Sequence, residues 1–98
     1  MSECPDSVRL DIWLWRARFF KTRGIAAAQI SKRGARIGRS GQIRRIVKPA
    51  ASVSVGDVLT FQTGSHIHIV EIQGLGVRRG PATEAQSLYR RLDGDNAC

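Results

Sequence analysis

RLDIWLWRARFFKTR, residues 9–23, decides how this chain folds. Leu10, Trp13, Leu14 and Ala17 recur at i, i+3, i+4 and i+7, the spacing that puts apolar side chains on one face of an α-helix. The stretch predicts a first helix laid stripe-down on a core. Asp11 falls in its first turn, where a carboxylate interacts favourably with the partial positive charge of the helix N-terminus. Arg9 and Arg16 share one flank of the stripe and Arg18 lies on the other. Trp15 points away from it and is expected to pack on a second element. Phe19 and Phe20 read as anchors of a tight joint, surrounded by Arg16, Arg18, Lys21 and Arg23.

Beyond the joint, KTRGIAAAQISKRG (21–34) predicts a second helix. Thr22 is a good N-cap, three alanines favour helix, and Gly34 is a natural stop after Lys32 and Arg33. Ile25, Ala26 and Ile30 supply an apolar face, and the small alanines let the two helices lie close. The pattern then changes. ARIGRSGQIRRIVKP (35–49) is rich in β-branched residues, turns at Ser40-Gly41 and stops at Pro49, which predicts a hairpin. Val53 and Val55 alternate before a Gly56-Asp57 turn, a strand follows over Val58–Phe61, and HIHIVEI (66–72) reads as another, with Ile67 and Ile69 on one face. In GPATEAQSLYRRL (80–92), Thr83 and Gln86 suggest a capping box, and Ala85, Leu88, Tyr89 and Leu92 form the stripe of a closing helix. The expected class is α+β: a helix pair, a small mostly antiparallel sheet and a C-terminal helix.

With 98 residues and no repeat, linker or low-complexity tract, the chain reads as one domain over residues 8–92, its core at about 8–62, with flexible termini at 1–7 and 93–98. No apolar run approaches the ~20 residues of a membrane span. Nor does a basic segment followed by an apolar stretch open the chain as a secretory signal would. A cytoplasmic, monomeric protein without membrane attachment is expected. Cys4 and Cys98 lie at opposite ends, so no disulfide is expected, and with His66 and His68 they lack the paired short spacings of a zinc site. The two histidines, two apart on one strand face, read as surface residues.

The charge is lopsided. Sixteen Lys and Arg against eight Asp and Glu give a net charge of +8. Residues 9–48 hold twelve of the cations and one acid, Asp11, whereas residues 49–77 hold no cation and two acids, Asp57 and Glu71. A solvated surface normally intersperses both signs. Arginine predominates in the basic half, and its planar, multi-donor guanidinium suits phosphates and bases better than an ammonium does. Nucleic acid is therefore the expected partner class. No acid–base pair, nucleophile constellation or phosphate-cradling glycine motif accompanies it. Binding rather than catalysis, without a cofactor, is expected.

RLDIWLWRARFFKTR, the following helix, Gly34-x-Arg36, a turn glycine, Lys48-Pro49 and VGDVL (55–59) together resemble the RNA-binding domain named after small-subunit ribosomal protein S-four, the alpha-L motif. RRGPATEAQSLY (78–89) is similar to its ribosome-associated heat-shock protein 15 branch. The resemblance implies an alpha-L fold with two N-terminal helices packed on a small twisted sheet. It also implies binding to structured ribosomal RNA of the free large subunit, especially one still carrying peptidyl-tRNA, in the rescue of stalled translation. Carried over position by position, the RNA face comprises Arg9, Arg16, Lys21, Thr22, Arg23 and Arg36, extended by Lys32, Arg33 and Arg39. Ile12 stands where the family commonly has lysine, and the segment from Ser40 to Lys48 departs from the usual hairpin, so Arg44 and Arg45 stay outside this set. Competing readings are a duplex DNA-binding module led by the Thr22–Arg33 helix, and a targeting module acting in trans for an RNA-modifying enzyme. The alanine-rich helix has few polar side chains to read base edges.

Overall fold

The structure is a computed structural model and describes residues 7–92. A two-residue strand, β1 (Val8–Arg9), leads into α1 (Leu10–Arg16), and α2 (Arg23–Arg33) follows the Phe19–Phe20 joint. Next come β2 (Ala35–Arg39), β3 (Gln42–Ile46), β4 (Ser52–Val53), β5 (Val58–Thr63), β6 (His66–Ile72), α3 (Ala82–Gln86) and β7 (Tyr89–Arg91). Five strands form one antiparallel sheet in the order β3-β2-β5-β6-β7, and β1 pairs with β4 as a separate ribbon.

The helices cover one face of the sheet. Leu10, Trp13, Leu14 and Ala17 are buried as their spacing predicts, with Ala26 and Ile30 of α2, and they meet Ile37, Leu59, Phe61, Val70 and Ile72 from the inner sheet face. Trp15 is half-buried, while Ile25, expected on the apolar face of α2, is exposed. Phe20 is buried, and Phe19 packs edge-on against Phe61 with ring centroids 4.8 Å apart. The core does not end near residue 62, because Val70, Ile72 and Leu88 belong to the same buried cluster.

The hairpin turns where the sequence says it should. Ser40 and Gly41 both have positive φ (55° and 81°), the conformation of a two-residue turn whose twist matches that of its strands. The predicted Val53–Val55 alternation fails: β4 stops at Val53 and Val55 is exposed. Asp57 accounts for this, since its Oδ2 accepts the Ser54 N–H at 2.9 Å and its own N–H donates to the Ser54 carbonyl, closing a turn where the strand would continue.

Two further expectations are corrected. The closing helix is only Ala82–Gln86; Pro81 is its N-cap without a side-chain bond, so Thr83 and Gln86 form no capping box. The chain then becomes the edge strand β7, in register with β6 at Val70–Arg91, Glu71–Arg90 and Ile72–Tyr89. Pairing satisfies the backbone groups that β6 would otherwise leave open on that side, which a longer helix could not do. His68 is not a surface residue: it stacks on Phe61 at 5.2 Å, contacts Thr63 Oγ1 through Nε2, and meets the Arg91 guanidinium at Nδ1. His66 is exposed.

Candidate nucleic-acid interface

The cations of RARFFKTR (16–23) divide into two pairs by their contacts. α1 ends at Arg16, and Arg18 takes a positive φ of 67° that turns the chain. Arg16 Nη1 donates to the carbonyls of Gly76 (2.9 Å) and Leu75 (3.4 Å), and Arg18 Nε donates to that of Gly80 (2.7 Å). The Trp13 indole N–H reaches the Gly74 carbonyl at 2.8 Å. Three side chains of the first helix and its end thus hold the 74–80 segment; Arg18, Lys21 and Arg23 are all exposed, but Arg18 is tied to Gly80.

Those two sit at the head of α2. Thr22 caps it, its Oγ1 accepting the Ile25 N–H at 3.0 Å. At the other end Gly34 stops the helix with φ 78°, and a Cβ there would lie 3.2 Å from the Ile46 carbonyl, so only glycine fits without a shift. Eleven residues at 1.5 Å each separate the two basic ends, Lys21–Arg23 and Lys32–Arg33, by roughly 16 Å.

The hairpin then brings a second set against the last turn of α2. Register pairs Arg36 with Arg45 across β2 and β3 and Arg36 with Thr60 across β2 and β5. All three lie on the sheet face that the helices leave uncovered. Arg45 Nη2 donates to the Arg33 carbonyl at 3.4 Å. Arg33, Arg36 and Arg45, with Thr60, Gln62 and Ile67, line a cleft of about 190 Å³. Counting outward from the two-residue turn makes Arg36–Arg45 a pair without mutual backbone bonds, the kind whose side chains approach closest. Like charges directly opposite are destabilising, and no ion pair of Arg33, Arg36 or Arg45 is found among the described residues. An anion between them removes the repulsion.

Arg9 and Arg39 are placed differently. Arg9 donates Nε and Nη2 to the two Asp11 oxygens (3.1 and 3.0 Å), and Arg39 does the same to Asp57 (2.9 and 2.7 Å). The hydrogen bond to Asp57 and then its charge raise the Arg39 pKa above its ordinary value, outweighing a small desolvation effect. Arg44 lies on the opposite face of the hairpin from Arg45 and lines a cleft of about 210 Å³ with Ile37, Arg39, Gln42 and Ser52. Lys32 and Lys48 are exposed.

Of the residues carried over as an RNA face, Lys21, Thr22, Arg23, Lys32, Arg33 and Arg36 therefore lie along α2 and the strand after it, Arg9 and Arg39 are tethered to carboxylates, and Arg16 faces the 74–80 segment. Arg44 and Arg45 fell outside that set, yet the Ser40-Gly41 turn already fixed the register that brings Arg45 to Arg36. Among the described residues no three His, Cys, Asp or Glu come together as a metal site; Cys4 and Cys98 lie outside them. No described helix is long and apolar enough to cross a membrane.

No protein-family model matches the chain. It is 39% identical over 90 residues to heat shock protein 15 of Escherichia coli, an alignment covering 91% of this chain, and 38% identical over 86 residues to a homologue in Haemophilus influenzae, covering 88%. The trimeric structure of Vibrio cholerae heat shock protein 15 superposes with a TM-score of 0.71 at 37% identity, covering 88% of this chain and 82% of that one. The chain belongs to the heat shock protein 15 family. It spans 64% of the length of the Escherichia coli family member and 62% of the Haemophilus one. The heat shock protein 15 similarity thus includes both the helix pair and the segment from Gly74 onward that Trp13, Arg16 and Arg18 hold.

Proposed function

We propose that this chain binds structured ribosomal RNA through the surface running from Lys21 and Arg23, along α2, to the Arg33, Arg36 and Arg45 cleft. The observation that carries the reading is that cleft: three arginines line it and no carboxylate does. Duplex RNA has a deep, narrow major groove that side chains read poorly, so contacts to backbone and shape dominate. If about six phosphates are neutralised, affinity falls roughly 10³-fold between 50 and 200 mM salt.

The target within this reading is the free large ribosomal subunit, above all one retaining peptidyl-tRNA, in the rescue of stalled translation in the cytoplasm. Membership of the heat shock protein 15 family and the RLDIWLWRARFFKTR resemblance support it. Self-association, in place of the monomer expected from the sequence, is part of the proposal, supported by the trimeric Vibrio relative and by Ile43 and Ile67, exposed on the uncovered sheet face.

Sucrose-gradient sedimentation of tagged protein with free small subunits, free large subunits and whole ribosomes, each separately, tests the target. Co-migration with free large subunits that persists at moderate salt is expected. Protein that stays at the top, or spreads over all RNA, removes the ribosomal assignment. Displacement by duplex DNA at equal concentration favours the DNA module instead, and co-purification of one RNA-modifying enzyme favours the targeting module.

A further inference from the structure

Two aspartates are buried to the same extent, Asp11 and Asp57 at 3% exposure each, and each holds an arginine whose side chain is half exposed. Burying a carboxylate is costly unless it is paired and hydrogen-bonded. Both accept one backbone N–H, Asp11 from Ile12 at 2.8 Å and Asp57 from Ser54 at 2.9 Å. Both also use two oxygens to grip one guanidinium from the side, through Nε and Nη2. That grip leaves the Nη1 donors of each arginine unused by the carboxylate.

Both arginines neighbour Ser52, one by strand register and one by a side-chain bond. Arg9 is the cross-strand partner of Ser52 in the β1–β4 ribbon, and Arg39 Nη2 donates to the Ser52 carbonyl at 3.3 Å. Leu10 N–H bonds to the Ala51 carbonyl, so Ser52 turns its own carbonyl away from β1 and toward Arg39. A guanidinium held in place loses less rotamer freedom when it meets a phosphate than one that swings in solvent.

We propose that Asp11 and Asp57 are positioning residues that hold Arg9 and Arg39 as two rigid forks, making a second phosphate-binding site beside Ser52, apart from the Arg33, Arg36 and Arg45 cleft. The ligand is the sugar–phosphate backbone of RNA, and the inference rests on the RNA-binding reading above. It predicts the opposite sign from simple charge. Neutralising an acid near a polyanion should tighten binding by long-range attraction; here it loosens a fork and weakens binding.

The test is fluorescence anisotropy of a labelled stem-loop RNA with the full chain, for wild type, Asp57→Asn, Asp11→Asn and Arg39→Lys, with Glu71→Gln, which releases Arg90 outside the proposed site, as the comparison for removing an acid elsewhere. Circular dichroism and thermal melting check each fold. Asp57→Asn and Asp11→Asn are expected to weaken binding by about three- to tenfold while Glu71→Gln leaves it equal or tighter. Arg39→Lys keeps the net charge but loses the fork, so it should weaken binding similarly and decides the matter if an aspartate variant fails to fold. Affinity that is equal or tighter in both Asp→Asn variants, or unchanged in Arg39→Lys, overturns the positioning role. A wild-type chain that does not bind, or a Lys21→Ala/Arg23→Ala/Arg36→Ala variant that binds as well as wild type, overturns the RNA reading itself and this inference with it.

Discussion

Arg33, Arg36 and Arg45 stand round a cleft with no carboxylate between them, whereas Arg78, Arg90 and Arg91, equally exposed, each engage a side chain of the domain itself. Arg78 pairs with Glu84, Arg90 with Glu71, and Arg91 meets His68. Pairing with Glu84, first by hydrogen bond and then by charge, raises the Arg78 pKa as Asp57 raises that of Arg39. A count of charges treats the two regions alike. Position separates them: the cations near α2 and the hairpin, Arg39 apart, have no acidic partner among the described residues, while Arg90 and Arg91 tie the last strand to the sheet and Arg78 ties the preceding loop to the last helix. Arg16 and Arg18 belong with the second group despite standing in the first, because their guanidiniums reach the 74–80 segment.

The strongest way to break this contrast is the triple variant Lys21→Ala/Arg23→Ala/Arg36→Ala. RNA affinity should fall about 100-fold and the slope of log affinity against log salt by about 3, with the melting temperature unchanged. Normal affinity in a folded triple variant would erase the distinction. Arg16→Ala should do the reverse. Two carbonyls lose a charged donor, so urea unfolding should show a loss of about 2 kcal/mol, while RNA affinity at low temperature stays within about twofold. A large affinity loss without destabilisation would move Arg16 back to the binding face. Thr22→Ala removes the α2 cap and should cost about 1 kcal/mol in the same assay, with a small rise in RNA dissociation as the helix end frays. Arg90→Ala removes an exposed ion pair; a change below about 0.5 kcal/mol and no measurable effect on RNA binding are expected.

Much of the fold was readable from short-range pattern. The Leu10, Trp13, Leu14 and Ala17 stripe, the Thr22 cap, the Gly34 stop and the Ser40-Gly41 turn all depend on residues within a few positions of one another, and all appear as expected. What could not be read depends on distance along the chain. Arg16 meets carbonyls 59 and 60 residues later, and Phe19 packs on His68. The run from Ala85 to Leu92 has helical periodicity, yet its second half pairs with β6, an outcome set by the open edge of a strand formed elsewhere. The candidate site divides in the same way. The α2 cations followed from charge density, whereas the convergence of Arg36 and Arg45 required the hairpin register to be counted, and the two aspartate grips required tertiary structure.

The indole bond from Trp13 to Gly74 spans 61 residues and sets an order of events during synthesis. At about 5–20 residues per second, the first helix leaves the peptidyl-transferase centre roughly 3–12 s before its acceptor carbonyl is made. Through that interval the nascent helix carries its arginines without the segment that holds Arg16 and Arg18, so both guanidiniums lack their final carbonyl partners. Completion of the C-terminal segment therefore closes the structure and also gives two guanidiniums of the first helix and its end internal acceptors in place of external ones.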